Sequence, residues 1–397
     1  MPIEFSFSAD QEAFRSAVRA FLEREVVPIV AEMDEREEFP AASVRRMQQE
    51  GYFGVPVPEE YGGLGLGKVG YCILLEELGR VDASHGTIVG AHTSLGATPL
   101  LYFGSEEQKR RFLTPAAKGE KLLAFSLTEP GSGSDSGAVH TVAEPSGGGF
   151  RLTGTKLYVS NGREADTIVL LAATDPKRGP NGGVSAFLLD RGMPGLTVGR
   201  CEKKMGLHGT STAELVLDHV EVGPERVLGP VGGGFVVAMT ALDVGRVSLG
   251  AASLGAMEAA TSAALDFAQK RVQFGQPIAQ HEVIQFKLAD MAMKVDALRY
   301  LVYQAAARQD RLGTEPARWS RRERQEKTRE AATVKCLASE WASDVIDQAL
   351  QIHGGLGYIR GTPIERAYRD ARISEIFEGT NEIQRLVVAR DLLERGL

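Results

Sequence analysis

Cysteine is scarce: Cys72, Cys201 and Cys336 are scattered over 397 positions, odd in number and without a CxxC spacing. That excludes a disulfide framework and a thiolate metal site, and it fits a reducing compartment. Histidine is equally thin, and its seven residues show no HxxxH or HExxH pairing that would hold a metal. No run of about 18 apolar residues occurs, so no membrane span is expected. The first residues, MPIEFSFSADQ, lack a basic n-region and an apolar h-region, and they are acidic where a transit peptide is Arg-rich. An excess of positive charge is also missing. Lys+Arg 45 against Asp+Glu 52 gives a formal net charge of −7, with no electrostatic footprint for nucleic acid. The expectation is a cytoplasmic protein with no nucleic-acid partner and no membrane partner.

What is present falls into three textures. Hydrophobic residues are 43% and charged residues 24%, ordinary for a globular chain long enough for two or three domains. Residues 1–121 read as helical. Ser8 and Gln11 have capping-box spacing, and Phe14, Val18, Phe21, Leu22 and Val26 share one face. A second helix starts near Ala42 and ends by Gly51, and others follow over Tyr71–Leu78, Ala83–Phe103 and Glu106–Ala117. Residues 122–233 are short β-rich runs between turns: Ala124–Leu127, Val139–Ala143, Phe150–Leu157, Thr167–Ala173, Val184–Leu189 and Ala213–Val220, with a turn at Pro145–Gly149. Ala213, Leu215 and Leu217 alternate with Glu214 and Asp218, as in a half-buried antiparallel strand. Residues 234–397 are helical again. Ile284, Leu288, Met291, Val295, Leu298 and Val302 make an a/d seam, and Val334, Leu337, Trp341 and Val345 make another face. Such seams build a four-helix bundle and often pack bundle against bundle in an oligomer. The predicted fold is mostly α with a central antiparallel β-domain.

Several stretches carry chemistry or imitate it. Gly65 to Gly70 matches GxGxxG, but that fingerprint needs a buried strand before it, and here Pro58-Glu-Glu-Tyr-Gly-Gly precedes. It reads as a flexible loop. Around Pro316, the residues Arg318, Arg321, Arg322 and Arg324 cluster with Trp319, which reads as a solvated helical extension. Asp243 and Arg246, spaced i,i+3, have the spacing of a surface pair. In Ile373–Arg390, Glu378 stands between apolar Ile376-Phe377 and Gly379, where desolvation raises a carboxylate pKa and strengthens the base. Thr380 and Asn381 can cap the helix that follows, and Asn381 with Gln384 has capping-box spacing. On spacing alone, a solvated glutamate in a pre-helical turn is the favoured reading.

Phe377-Glu378-Gly379-Thr380 resembles the C-terminal signature of the acyl-CoA dehydrogenase family, whose catalytic base sits in a [Tyr/Phe]-Glu-Gly-Thr motif. Further segments from Leu127 to Tyr358 resemble that family's motifs in the family's order. They are Thr128-Glu-Pro-Gly-Ser-Gly-Ser-Asp135, Lys156-Leu-Tyr-Val-Ser-Asn-Gly162, Asp243-Val-Gly-Arg246, Arg271-Val-Gln-Phe-Gly275 and Gln351-Ile-His-Gly-Gly-Leu-Gly-Tyr358. The resemblance implies FAD as cofactor. Phe125, Leu127 and Thr128 would then meet the flavin ring, with Gly133 and Ser134 lining the site and Ser134 also near the CoA moiety. Tyr158 would cover a flavin face, where many members carry Trp, and Ser160, where Thr is frequent, would bond the ring edge. Thr380 and Glu382 belong to the same cofactor set. Arg271, Gln273, Phe274, His281, Gln351, Gly354 and Gly355 would reach the FAD of an adjacent subunit. Asp243, Arg246 and Gly379 would touch an acyl-CoA substrate. Isovaleryl-type members place their base just before that arginine; here the residue is Gly245, so Glu378 is the only motif-matched base.

The implied activity is α,β-dehydrogenation of a short- or medium-chain acyl-CoA to a trans-2-enoyl-CoA. Electron-transfer flavoprotein is the implied acceptor and a homotetramer the implied assembly. Alternatives within the fold are an acyl-CoA oxidase or flavin monooxygenase, and a DNA-associated relative, against which the charge of −7 counts.

Overall fold

The computed structural model describes residues 6–396, so the first five residues of the MPIEFSFSADQ segment and Leu397 lie outside the described residues. Helix α1 (Ala9–Glu25) opens on the expected reciprocal box between Ser8 and Gln11, and it buries Val18, Phe21 and Leu22. Helix α2 (Val30–Arg36) has too few residues for a legible period and was not anticipated. Helix α3 (Ala41–Gln49) stops just before Gly51, whose φ of +77° a larger residue enters only at a cost.

Helix α4 (Gly67–Val81) begins inside the glycine-rich run rather than after it. Its first amides, on Lys68 and Val69, donate to the Asp310 carboxylate at 2.6 and 3.1 Å. The anion position at this helix N-terminus is therefore filled by the chain's own carboxylate. Helix α5 (Ala83–Gly90), capped by Asp82, continues through a π-helical turn (Ala91–Ala97) into α6 (Thr98–Phe103).

The strands are β1 (Leu123–Ser126), β2 (Val142–Ser146), β3 (Gly149–Ser160), β4 (Thr167–Ala173), β5 (Val184–Asp190), β6 (Leu196–Cys201), β7 (Thr212–Val222) and β8 (Val227–Leu228). Their sheet runs β6-β7-β3-β2-β4-β5-β8, with β1 beside β4. Most pairings are antiparallel, as expected, but β1 runs parallel to β4 and β2 meets it in parallel at Val142. The second strand starts at Val142 rather than Val139 because Glu129 takes the amides of His140 and Thr141 out of the ladder. Pro145, Ser146 and Gly149 pair within the β2–β3 hairpin, which confines the turn to Gly147-Gly148. Strand β6 was not anticipated. In β7 the alternation holds through Leu217 and then slips at His219 (φ +57°), where the register against β3 shifts.

The C-terminal helices are α7 (Gly234–Lys270), α8 (Glu282–Leu312), α9 (Arg321–His353), α10 (Pro363–Ala371) and α11 (Asn381–Arg395). Met291, Val295, Leu298 and Val302 of the α8 seam are buried, with Ile284 and Leu288 partly so, in one core shared with α1, α4 and α7. By length and composition α7 could cross a membrane, yet most of it is buried inside the protein. The arginine-rich segment differs from its expected form: Arg318, Arg321, Arg322 and Arg324 are exposed, but Trp319 is buried. Its Nε1 donates to Leu312 O at 2.6 Å, and its ring meets Tyr102 edge-on, so it stitches the α8–α9 connection to the N-terminal helices.

Candidate active site

Between a short 3-10 turn (Arg372–Glu375) and α11 the chain makes a tight turn in which Glu378 has φ +56° and Gly379 φ +88°. Half-exposed Ile376 and partly buried Phe377 precede this turn, and a capped helix follows it. The cap is Thr380, whose hydroxyl accepts from the Ile383 amide at 3.5 Å. The expected Asn381–Gln384 box does not form, because Asn381 is already the first helical residue. Both side chains serve the turn instead. Gln384 Nε2 donates to Glu378 O at 3.3 Å and to Gly379 O at 2.9 Å. Arg246 Nε donates to the same Glu378 carbonyl at 3.2 Å. Asn381 is buried, and its Oδ1 accepts from Lys335 Nζ at 2.7 Å.

The Glu378 carboxylate itself is left free. Its Oε2 is closed off from solvent and has no hydrogen-bond partner among the described residues. A Cβ placed on Gly245 would lie 2.5 Å from that oxygen, so the carboxylate packs against position 245 in space that only glycine leaves. Burial pushes the Glu378 pKa up to about 7, against the pull of the Arg246 guanidinium and then the Lys335 ammonium. The solvated-turn reading of this glutamate is thereby excluded. Beside it, hydroxyls from three helices form a chain that sequence reasoning missed. Tyr71 Oη and Ser248 Oγ each lie 2.9 Å from Ser94 Oγ, and Ser248 Oγ donates to Gly245 O. No motif joins residues so far apart in sequence.

Asp243 and Arg246 are buried, not a surface pair. Arg246 Nη1 donates to Asp243 Oδ1 at 3.0 Å, Thr328 Oγ1 donates to Oδ2 at 2.7 Å, and Lys327 Nζ approaches Oδ2 at 3.4 Å. Both Asp243 oxygens are thus engaged within the chain, and Asp243 anchors Arg246.

A second group gathers where β1 and β3 end. Lys156 Nζ donates to Leu127 O at 3.0 Å and to Glu129 Oε1 at 2.6 Å, which pins the loop after β1. The Thr128 and Ser160 hydroxyls take no hydrogen bond within the described residues. Tyr158, at φ +56°, stands 59% exposed, and Phe125 is half-buried. Gly133 and Ser134 are exposed, with nothing within 4 Å of a Cβ at 133. Free hydroxyls on two strand ends, an outstanding aromatic ring and an open cradle fit the flat polar-edged ring of a flavin.

The residues expected to act across a subunit boundary lie elsewhere on the surface. Arg271, Gln273 and Phe274 sit on a two-strand hairpin (Val272–Gln273 with Gln276–Pro277), and Phe274 is 94% exposed. His281 meets the Phe274 ring edge-on. Gln351, Gly354 and Gly355 are exposed at the end of α9, where Gly354 (φ +58°) stops the helix. None of these hydrogen-bonds the Glu378 turn or the Thr128 loop among the described residues. Glu382 is exposed in the first turn of α11.

Three family patterns cover nearly the whole chain. Residues 8–120 match the acyl-CoA dehydrogenase N-terminal domain, 124–220 its middle domain and 232–393 its C-terminal domain. An acyl-CoA dehydrogenase of Bacillus subtilis is 43% identical over 97% of this chain and 98% of its own. The human mitochondrial short-chain specific acyl-CoA dehydrogenase is 44% identical over 94% of this chain and 88% of its own. The solved butyryl-CoA dehydrogenase of Megasphaera elsdenii superposes with a TM-score of 0.93 at 38% identity, covering 98% of this chain and all of that one. An acyl-CoA dehydrogenase of Bacillus anthracis, solved with FAD, gives a TM-score of 0.90 at 36% identity, covering 98% of this chain and 68% of that one.

Proposed function

The chain belongs to the acyl-CoA dehydrogenase family and is an FAD-dependent acyl-CoA dehydrogenase, and within that activity we propose that Glu378 is the base. The observation that carries this is the unpartnered, enclosed Glu378 Oε2 opposite Gly245. A proton acceptor must be within reach of the α-carbon and must not spend its lone pairs on the protein. Glu378 meets the second demand outright. A carboxylate titrating near 7 is also well matched to taking a carbon-bound proton near neutral pH. Arg246 and Gln384 hold the carbonyl of the base, so its position is set before substrate arrives. Bound FAD supplies the acceptor for the β-hydride. Thr128, Ser160 and Tyr158 would hold its ring, and the product is a trans-2-enoyl-CoA.

Glycine at 245 supports a preference for short to medium acyl chains, straight or lightly branched, over isovaleryl-CoA. Electron-transfer flavoprotein is proposed as acceptor, as is usual in the family. A homotetramer is proposed from the bare Phe274 hairpin and the exposed α9 end. One anaerobic series tests both the base and the substrate class. Glu378→Gln should keep FAD while flavin reduction slows by about 10²–10⁴. Wild-type reduction by the variant with every acyl-CoA would remove Glu378 from the reaction. Isovaleryl-CoA as the fastest substrate of the unaltered protein would defeat the preference.

A further inference from the structure

Lys335, on α9, has a wholly buried side chain. It forms no ion pair among the described residues, and its hydrogen bond goes to a neutral amide, Asn381 Oδ1 at 2.7 Å. A buried ammonium with no carboxylate in contact is costly unless a nearby negative charge compensates it. Burial lowers the Lys335 pKa to about 8, and Glu378 is the group that pulls it back most, ahead of Cys336 and Glu375, with Arg246 opposing. The groups facing Glu378 are Arg246 from α7, Lys335 from α9 and the Tyr71 hydroxyl from α4. The two cations differ. Arg246 is paired with Asp243, which it shares with Lys327, whereas Lys335 contacts no carboxylate among the described residues. Its ammonium is held locally by the Asn381 amide alone.

We propose that Lys335 is a positioning residue for the base: through Asn381 it holds the first turn of α11 behind Glu378, and its buried ammonium stabilises the negative form of that carboxylate. This rests on Glu378 being the base. The two roles separate by variant. Lys335→Met and Lys335→Gln remove the charge, and the glutamine keeps a donor. Asn381→Ala keeps the charge and breaks the tether.

The test is the pH profile of flavin reduction by butyryl-CoA in the holoenzyme. A parallel infrared titration would follow the protonated carboxyl band that Glu378→Gln abolishes. In both lysine variants the acidic limb and the infrared midpoint should move up by about one pH unit. Reduction at pH 6 would then be about tenfold slower, with the alkaline plateau near wild type. Asn381→Ala should lower the plateau and leave the limb in place. An unmoved limb and midpoint in Lys335→Gln, or loss of FAD from both lysine variants, overturns the proposal. If Glu378→Gln itself reduces flavin at the wild-type rate, the assignment of the base has failed instead.

Discussion

At the scale of single residues the site is a matter of one oxygen and one missing methyl group. Glu378 keeps its proton in the folded protein up to a pH of about 7, above the range of an exposed glutamate. A folded-state pKa raised in this way favours folding below the unfolded pKa, and the benefit disappears as pH rises through about 7. Wild type and Glu378→Gln should therefore melt alike near pH 5, with the glutamine variant gaining progressively toward pH 8. The difference in Tm between the two proteins across that window is the measurement, and a constant difference would contradict the raised pKa. The apposition of Gly245 and Glu378 makes a second prediction. Glu378→Gly should abolish turnover, and adding Gly245→Glu should restore part of it, because a carboxylate from either side can occupy the same space. Failure of the double variant to reduce flavin with FAD and acyl-CoA bound would show that the two positions do not address one proton.

At the scale of elements, the turn is fixed by side chains from the helix that follows it and from α7. Gln384 holds two consecutive carbonyls, so Gln384→Leu should cost about 1–3 kcal/mol of stability and lower the reduction rate at all pH values without shifting the acidic limb. A rate profile unchanged in height would mean the turn holds itself. What was legible in the sequence follows the same division. The box at Ser8, the α8 seam and the run Thr167–Ala173 rest on local spacing, and the structure has them there. Lys335 and the Ser94–Ser248 pair were invisible because their partners are remote in sequence, whereas Gln384 was noticed for a cap and instead reaches back to carbonyls five and six residues away. The capping box expected at Asn381 failed for a related reason: its spacing was right, but Lys335 and Ser339 claimed the amide. Asp310 filling the α4 N-terminus is a third case, a ligand-like group supplied from α8.

At the scale of the whole molecule, the residues proposed for one flavin site fall in two places. Thr128, Tyr158 and Ser160 converge at the strand ends, while Arg271, Phe274 and Gln351 stand bare on another part of the surface. In the proposed tetramer, the Arg271 fork, suited to a diphosphate, would meet the cofactor of a second copy. Arg271→Ala should lose FAD together with, or before, its quaternary structure, read by flavin absorbance across a size-exclusion peak with light scattering. A stable monomer carrying stoichiometric FAD would refute the division.

The backbone at Glu378 sets thermal endurance against turnover. A non-glycine residue at φ +56° carries local strain, and here it also encloses a carboxylate oxygen without a partner. Glycine at 378 would relieve both, so the substitution that ends the chemistry is also one expected to make the chain harder to melt. Variants chosen for heat resistance alone would drift toward glycine at this position, and only a simultaneous demand for product would hold the glutamate in place.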